Sequence, residues 1–443
     1  MSLFFRRFIP LIIILFLLAA CTAPAGNGNA SQKATAPGVA SATAAATPST
    51  GTASDVCPAP LQRARNCLTP HAMRVAYGVQ SLIEKGFTGK GQTVIDIVSF
   101  GSPTLKQDME YYNKIMGLPP VDLEVISPLK VPEYDPNHDK GGWAAETTLD
   151  VQIIHAIAPD AKIVVLTSPV AETEGTIGLP EFRQLIQYAI DHKLGTIFSQ
   201  SWGASELTLQ DQAGQQELQK WNDLLQKATT QQGMTFFSSS GDHGATDYAD
   251  LEAKKIASVP TTSFACDSPW VTAVGGTTLI SPTRNLRETA WDGSGGGFSR
   301  FYQTPDYQKL LPASVQQQLS NRRGVPDVSA VADPRTGLAM YQDGQWGLAG
   351  GTSASAPLWA GLMAIANQMA GRPLGFINPA LYKIATSSKY TQDFRDITVG
   401  NNTNTDGGTT VAGYPAVTGW DPVTGLGAPI ADKLIPDLIA MTK

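Results

Sequence analysis

The octapeptide Gly350-Gly351-Thr352-Ser353-Ala354-Ser355-Ala356-Pro357 runs into an apolar stretch from Leu358 to Met369. Glycines ahead of Ser353 allow a close approach of backbone to a bound chain. A helix beginning beside the serine aims free N–H groups at its own start, where negative charge developing on a carbonyl oxygen is stabilised. The pattern suits a nucleophilic serine. The plainer reading is an N-cap, because Ser and Thr commonly precede helices, but the whole octapeptide is far more specific than a cap. Ser353 is the candidate nucleophile.

A serine nucleophile needs a base. The chain has five histidines, His71, His138, His155, His192 and His243, and no His-Gly-Thr-like segment to carry one. His155 lies in the apolar run 151–157 and reads as a packed core residue. His192 falls at the end of a surface helix, where it favours the helix dipole. His243, beside Asp242, is the one rival base. Glu146-Thr147-Thr148-Leu149-Asp150 offers an alternative. Four-residue spacing puts both carboxylates on one helix face. Their repulsion keeps a proton on one of them into milder acid, so the pair can accept the serine proton and return it to a leaving amine. Taken alone, Glu-x-x-x-Asp reads as a solvated helix face. Its companion is Ser238-Ser239-Ser240-Gly241-Asp242-His243-Gly244, directly after a strand. Protonated, Asp242 can donate a hydrogen bond to an oxyanion; the competing reading is a loop Asp in an Asx turn.

These residues need a scaffold. Strands are expected at 92–98, 162–166, 196–199, 234–238 and 271–275. Helices are expected at 181–192, with Phe182, Leu185, Ile186, Ala189 and Ile190 in helical spacing, and at 215–231, with Leu218, Trp221, Leu224, Leu225 and Ala228 on one face. Alternation of this kind predicts an α/β fold with a mostly parallel central sheet and helices on both faces. Reactive groups then gather at the carboxyl ends of the strands. No linker or repeat interrupts 56–443, which reads as one domain.

The first 55 residues read differently. Arg6 and Arg7 precede a short apolar run from Ile9 to Ala20 that contains Pro10, the layout of a signal peptide over 1–20. Its end, Leu18-Ala19-Ala20-Cys21, resembles the lipobox of bacterial lipoproteins. That resemblance implies a diacylated Cys21 and an extracytoplasmic, membrane-anchored protein, two chains being what stable anchoring needs; the plainer reading is an ordinary cleaved signal. Residues 21–55 are mostly Ala, Thr, Ser, Gly and Pro, and 22–54 carry one charge, Lys33. Such a segment buries too little apolar surface to offset its ordering entropy and reads as a flexible tether. Of the remaining cysteines, Cys57 and Cys67 are a possible disulfide clip, which leaves Cys266 as a small buried apolar residue.

The chain of 443 residues is 42% hydrophobic and 16% charged, with a net charge of −6. Nothing in it suggests a nucleic-acid binder, which needs a basic stripe. The low charge content, against roughly a quarter on average, points weakly to an acidic setting.

Together the segments resemble the sedolisins, serine-carboxyl peptidases related to subtilisin. The likeness covers nearly all of 60–440. Besides the residues above it includes Ser201-Trp202-Gly203, Gly295-Gly296-Gly297 with Ser299-Arg300, Gly324-Val325-Pro326-Asp327-Val328, and Trp420-Asp421 through Thr424-Gly425-Leu426-Gly427. It implies a subtilisin-like fold and an acid-active endopeptidase acting on proteins or peptides, in which Ser353 is the nucleophile, Glu146 the base, Asp150 its partner and Asp242 the oxyanion-hole acid. Trp202 is expected near the carboxylates. It also implies one structural calcium ion, held by the carboxylates of Asp396 and Asp421 and the carbonyls of Ile397, Val417 and Gly419, an all-oxygen set that suits calcium. A monomer is expected.

Three departures stand out. Fewer than fifty residues separate Cys21 from the first matching motif, too few for the large N-terminal pro-domain usual in relatives. An extra carboxylate that some relatives carry after the first strand is replaced by Ser99, so proton sharing is expected to stop at Glu146 and Asp150. His243 beside Asp242 is unusual, and as a cation it lowers the Asp242 pKa. The competing readings are a non-catalytic surface binding protein on a peptidase fold and a hydrolase with a histidine base.

Overall fold

The computed structural model describes residues 56–442 except 65, 136–138, 173–174, 251–254, 281, 284 and 406–407. The signal segment, Cys21, the tether and His138 lie outside the described residues. Among those described, no helix is long and apolar enough to cross a membrane.

Seven strands lie side by side in one sheet: β1 (Thr93–Ser99), β2 (Asp122–Ile126), β3 (Lys162–Ser168), β4 (Ile197–Gln200), β5 (Thr235–Ser239), β6 (Thr272–Ile280) and β7 (Arg287–Ala290), in the order β7-β6-β5-β4-β1-β3-β2. An eighth, β8 (Val328–Val331), also pairs with β6. All pairings are parallel except β6 with β7. β1 is central, flanked by β3 and β4, and every residue of it after Thr93 is buried. Burial on both faces is why these strands read as continuous apolar runs. β6 runs five residues past its expected end at Gly275, because its far half is held by β8 and then β7.

The helices used below are α1 (Leu105–Met116), α2 (Asp139–Ile157), α3 (Leu179–Asp191), α4 (Gln212–Gln232), α5 (Thr352–Ala370) and α6 (Ala431–Met441). α4 starts three residues before its apolar periodicity, since Asp211 caps it by accepting the Gly214 N–H at 2.7 Å. α3 and α4 bury the stripes read from the sequence. α2 from Trp143 onward and α5 as far as Asn367 are buried on all sides, as central helices are. They pack side by side against the sheet. At Gly361 of α5 a Cβ would lie 2.8 Å from the Ile157 Cβ of α2, so only glycine permits this spacing. The α/β architecture, with its mainly parallel sheet, is as expected. Cys57 and Cys67 form a disulfide, and Cys266 is free and buried.

Candidate active site

The site forms where β4, β5 and α5 meet at the carboxyl edge of the sheet. Ser353 lies in the first turn of α5, 8% exposed. The helix N-cap is Gly351, at φ +105°, a conformation that strains other residues. A Cβ there would come 2.7 Å from Asp242 Oδ2. Asp242, just past β5, caps the helix from outside. The Thr352 N–H and hydroxyl donate to its Oδ1 at 2.7 and 2.9 Å. Oδ1 is thus committed, and Oδ2, against Gly351, is the oxygen that can carry a proton. Burial pushes the Asp242 carboxyl up, while the Thr352 bonds and the His243 charge pull it back. The expected influence of His243 is present in direction, and burial outweighs it.

α5 holds a second device. Pro357 has no N–H to give to the Ser353 carbonyl four residues earlier. The Ser201 hydroxyl, just past β4, lies 3.3 Å from that carbonyl and 2.9 Å from Asp150 Oδ1. One side chain therefore ties the nucleophile's backbone to the acids of α2.

Glu146 and Asp150 are 1% and 0% exposed. They share a face of α2, and the Thr147 and Thr148 hydroxyls between them donate to the Trp143 and Ala144 carbonyls at 2.7 and 2.8 Å. Buried polar groups are thereby satisfied inside the helix. Burial pushes the Glu146 carboxyl up to about 8, the Ser353 hydroxyl pulls it back, and Asp242 and Asp96 push it further. Glu146 thus lies within reach of Ser353, although neither of its oxygens closes a well-aligned hydrogen bond. Catalytic hydrogen bonds are often loose without substrate. Burial, then the charges of Asp96 and Glu146, hold Asp150 well above the ordinary carboxylate range.

Asp96 was not anticipated. Proton sharing was expected to stop at Asp150 because Ser99 stands at the strand end, and Ser99 indeed turns away, donating to the Val170 carbonyl at 2.8 Å. Three residues earlier, Asp96 brings a fully buried carboxyl from the middle of β1 to Asp150. The available signal was a lone carboxylate inside an otherwise apolar buried strand. Ser201, Thr352 and Pro357 were likewise present in recognised motifs without an assigned part. Trp202 is buried against Phe182 and Trp221, next in sequence to Ser201.

Three of the histidines have other neighbours. The His243 ring stands edge-on to Tyr248 at 4.7 Å. His155 is fully buried, its Nε2 2.9 Å from the Pro119 carbonyl oxygen, and burial lowers its pKa to about 4. His192 stacks on Tyr188 at 3.9 Å.

Asp396 and Asp421 converge on one loop. Asp396 Oδ2 accepts the Gly419 N–H at 3.1 Å, and Asp421 Oδ2 accepts the Val417 N–H at 3.0 Å. Among the described residues, no hydrogen bond falls on the carbonyls of Ile397, Val417 or Gly419. Asp421 is buried and its carboxyl is pushed up to about 7, despite the amides of Thr424, Val417 and Val423 favouring its charge. Two carboxylates and three unused carbonyls make a hard-oxygen set that fits a divalent cation of the calcium type. Among the described residues, no three His, Cys, Asp or Glu side chains form a metal cluster.

The model of the Subtilase family matches residues 137–390. Kumamolisin from a Bacillus species is 35% identical over 370 residues, covering 80% of this chain and 61% of that protein. Human tripeptidyl-peptidase 1 is 31% identical over 315 residues, covering 68% of this chain and 53% of its own. The chain thus spans less than two thirds of the length of these curated relatives. The solved Pseudomonas sedolisin, a serine-carboxyl proteinase complexed with two molecules of pseudo-iodotyrostatin, superposes with a TM-score of 0.69 at 27% identity, covering 84% of this chain and 97% of that one.

Proposed function

The chain belongs to the sedolisin family of serine-carboxyl peptidases, on the subtilisin-like fold, and from that premise we propose that it is an acid-active endopeptidase that cleaves through Ser353, Glu146, Asp150 and Asp242. The observation that carries the proposal is the placement of a buried, uncompensated Glu146 carboxyl within reach of the Ser353 hydroxyl. Glu146 takes the Ser353 proton as the hydroxyl oxygen attacks the scissile carbonyl. Asp242 Oδ2–H and the Ser353 N–H in the first turn of α5 hold the oxyanion. Glu146 returns its proton to the leaving amine, and water then releases the acyl group from Ser353. Asp242 must be protonated and Glu146 must be able to ionise, so activity belongs on the acid side of neutral.

The test is digestion of a denatured protein from about pH 3 to 7. Ser353→Ala and Glu146→Ala should each lower kcat by at least about a thousandfold. Strong cleavage by Glu146→Ala would overturn the assignment, and no cleavage by the unaltered chain at any pH would favour a binding protein instead. Since relatives include tripeptidyl-peptidases, the products decide between modes. Internal fragments support an endopeptidase; tripeptides alone point to an exopeptidase.

We further propose one calcium ion at Asp396, Asp421 and the carbonyls of Ile397, Val417 and Gly419. When bound it neutralises the carboxylates of Asp396 and Asp421 and fixes the loop beneath Tyr390, whose hydroxyl donates to Asp396 Oδ1 at 3.0 Å. Anchoring through lipidated Cys21 on an extracytoplasmic membrane face is proposed from the lipobox-like end of the signal segment.

A further inference from the structure

A second pair of acids is buried away from the nucleophile. Glu206, Asp267 and Ser299 have no exposed surface and come from three separate parts of the chain. Glu206 closely follows Ser201-Trp202-Gly203, and its N–H donates to the Thr262 carbonyl at 3.0 Å. Ser299 closely follows the strip Gly295-Gly296-Gly297. That strip is pressed on the loop that carries Asp242. The Gly295 N–H donates to the Gly241 carbonyl at 2.8 Å, and a Cβ at Gly295 would fall 1.9 Å from the Ser240 carbonyl oxygen. Glu206 and Ser299 therefore tie the segment after Ser201 to the segment that backs Asp242.

Ser299 is the hub, and more groups surround its hydroxyl than it can serve. The Phe301 and Tyr302 N–H groups donate to its oxygen, both at 3.1 Å. Glu206 Oε1 lies 2.5 Å from that oxygen and Asp267 Oδ2 3.3 Å. A hydroxyl has one proton and two lone pairs. The two amides take the lone pairs, and the nearer carboxylate, Glu206, takes the proton. Glu206 also accepts the Arg300 N–H, at 3.0 and 2.9 Å from its two oxygens. Asp267 is left without a donor, and its Oδ1 has no partner at all. An ionised carboxyl is costly there. A protonated one can donate to Glu206.

The groups facing Asp267 do not change this. Arg323 is fully buried, its terminal nitrogens engage Asp327 at 2.9 and 2.5 Å, and its Nε meets no acceptor. The Arg300 guanidinium donates to the Pro260 carbonyl at 2.9 Å. Tyr302 and Cys266 are the other titratable neighbours, and burial raises both well above their ordinary values, so both stay neutral. Burial also raises Asp267 well above the ordinary carboxylate range. Its bond to Glu206 and the Glu206 charge raise it further, while Ser299 and Arg323 pull it back.

We propose that Asp267 and Glu206 form an acid-closed latch beside the cleft: in acid the protonated Asp267 donates to Glu206 beside Ser299 and holds the two segments together, and toward neutral pH Asp267 gives that proton to water, the two carboxylates repel, and the strand carrying Ser299 loosens. The stabilising effect is fully present below the unfolded carboxylate range, about pH 4, and is lost as pH rises. The effect on cleavage rests on the peptidase reading above; the latch itself is a property of the fold.

The test is amide hydrogen exchange in the full chain carrying Ser353→Ala, which prevents self-digestion. The Arg300, Phe301 and Tyr302 amides report directly, since they donate to Glu206 and Ser299. Their protection should fall about tenfold or more between about pH 4 and pH 8, after correction for intrinsic exchange. Adding Asp267→Asn keeps a neutral donor to Glu206 that cannot ionise, so protection should then stay within about twofold. Equal falls in the two proteins, or no fall in Ser353→Ala, would overturn the latch. If Asp267→Asn does not fold, Glu206→Gln makes the same comparison: it removes the second charge and should also suppress the fall, and an undiminished fall would sink the idea. In the cleaving chain, Asp267→Asn should hold KM nearly constant up to about pH 6, where KM of the unaltered protein rises; superimposable KM profiles would detach the latch from the cleft. Cleavage by Ser353→Ala itself would instead refute the peptidase reading and leave the exchange result standing.

Discussion

At the scale of single residues, the site depends on which oxygen of each carboxyl is already engaged. Asp242 accepts twice on Oδ1, from Thr352, and so presents Oδ2 beside Gly351. Gly351→Ala places a methyl carbon within 2.7 Å of that oxygen. The expected result is a fall in kcat of about a hundredfold, as for loss of one oxyanion donor, together with a lower melting temperature, because alanine is strained at φ +105°. A normal kcat in Gly351→Ala would show that Asp242 is not needed in its present position. Ser201 shows the same economy of contacts: it serves Asp150 and also the Ser353 carbonyl that Pro357 leaves without an N–H.

At the scale of elements, chemistry is set by how α2 and α5 meet. Glu146 rides on one helix and Ser353 on the other, and Gly361 sets their spacing against Ile157. Gly361→Val forces the two apart. Overpacking of this kind costs about 1–3 kcal/mol, read as a lower melting temperature. It should also lower kcat more than it raises KM, because the base and the nucleophile separate while the rest of the cleft stays in place. Unchanged kcat in a destabilised variant would mean that the Glu146–Ser353 distance is held by other contacts. α2 was legible as a helix bearing two acids on one face. Its solvated-face alternative fails because α2 packs against both the sheet and α5 and both acids are buried.

At the scale of the molecule, buried acids make stability depend on pH. Burial pushes the Asp96 carboxyl up to about 8 and holds Asp150 well above the ordinary carboxylate range, so the folded form keeps their protons more tightly than the unfolded chain does, even with Glu146 ionised as the base. Their contribution is fully present below the unfolded carboxylate range, about pH 4, and is lost as pH climbs toward 8. Melting of Ser353→Ala, chosen to prevent self-digestion, should therefore occur at falling temperatures from about pH 4 to 7. A flat or rising curve would contradict neutral, buried acids. Calcium acts in the opposite sense. Asp421 is pushed up to about 7, and a metal competes with its proton, so added calcium should raise the melting temperature more at pH 7 than at pH 4. Asp421→Asn should abolish that increment; equal increments in both proteins would remove the proposed site.

The sequence by itself determined the α/β alternation, the strand and helix cores, and the segments bearing Ser353, Glu146, Asp150 and Asp242. These follow from local periodicity and short motifs, which depend on neighbours along the chain. Only the tertiary structure decided that Asp96 belongs with them, that Ser201 bridges α2 and α5, and that Asp242 caps a helix 110 residues away. The physical reason is that a carboxyl's role depends on what surrounds it in space. In sequence, Asp96 is a single polar residue in an apolar strand. Packed under α2, it becomes a third buried carboxyl, beside Asp150.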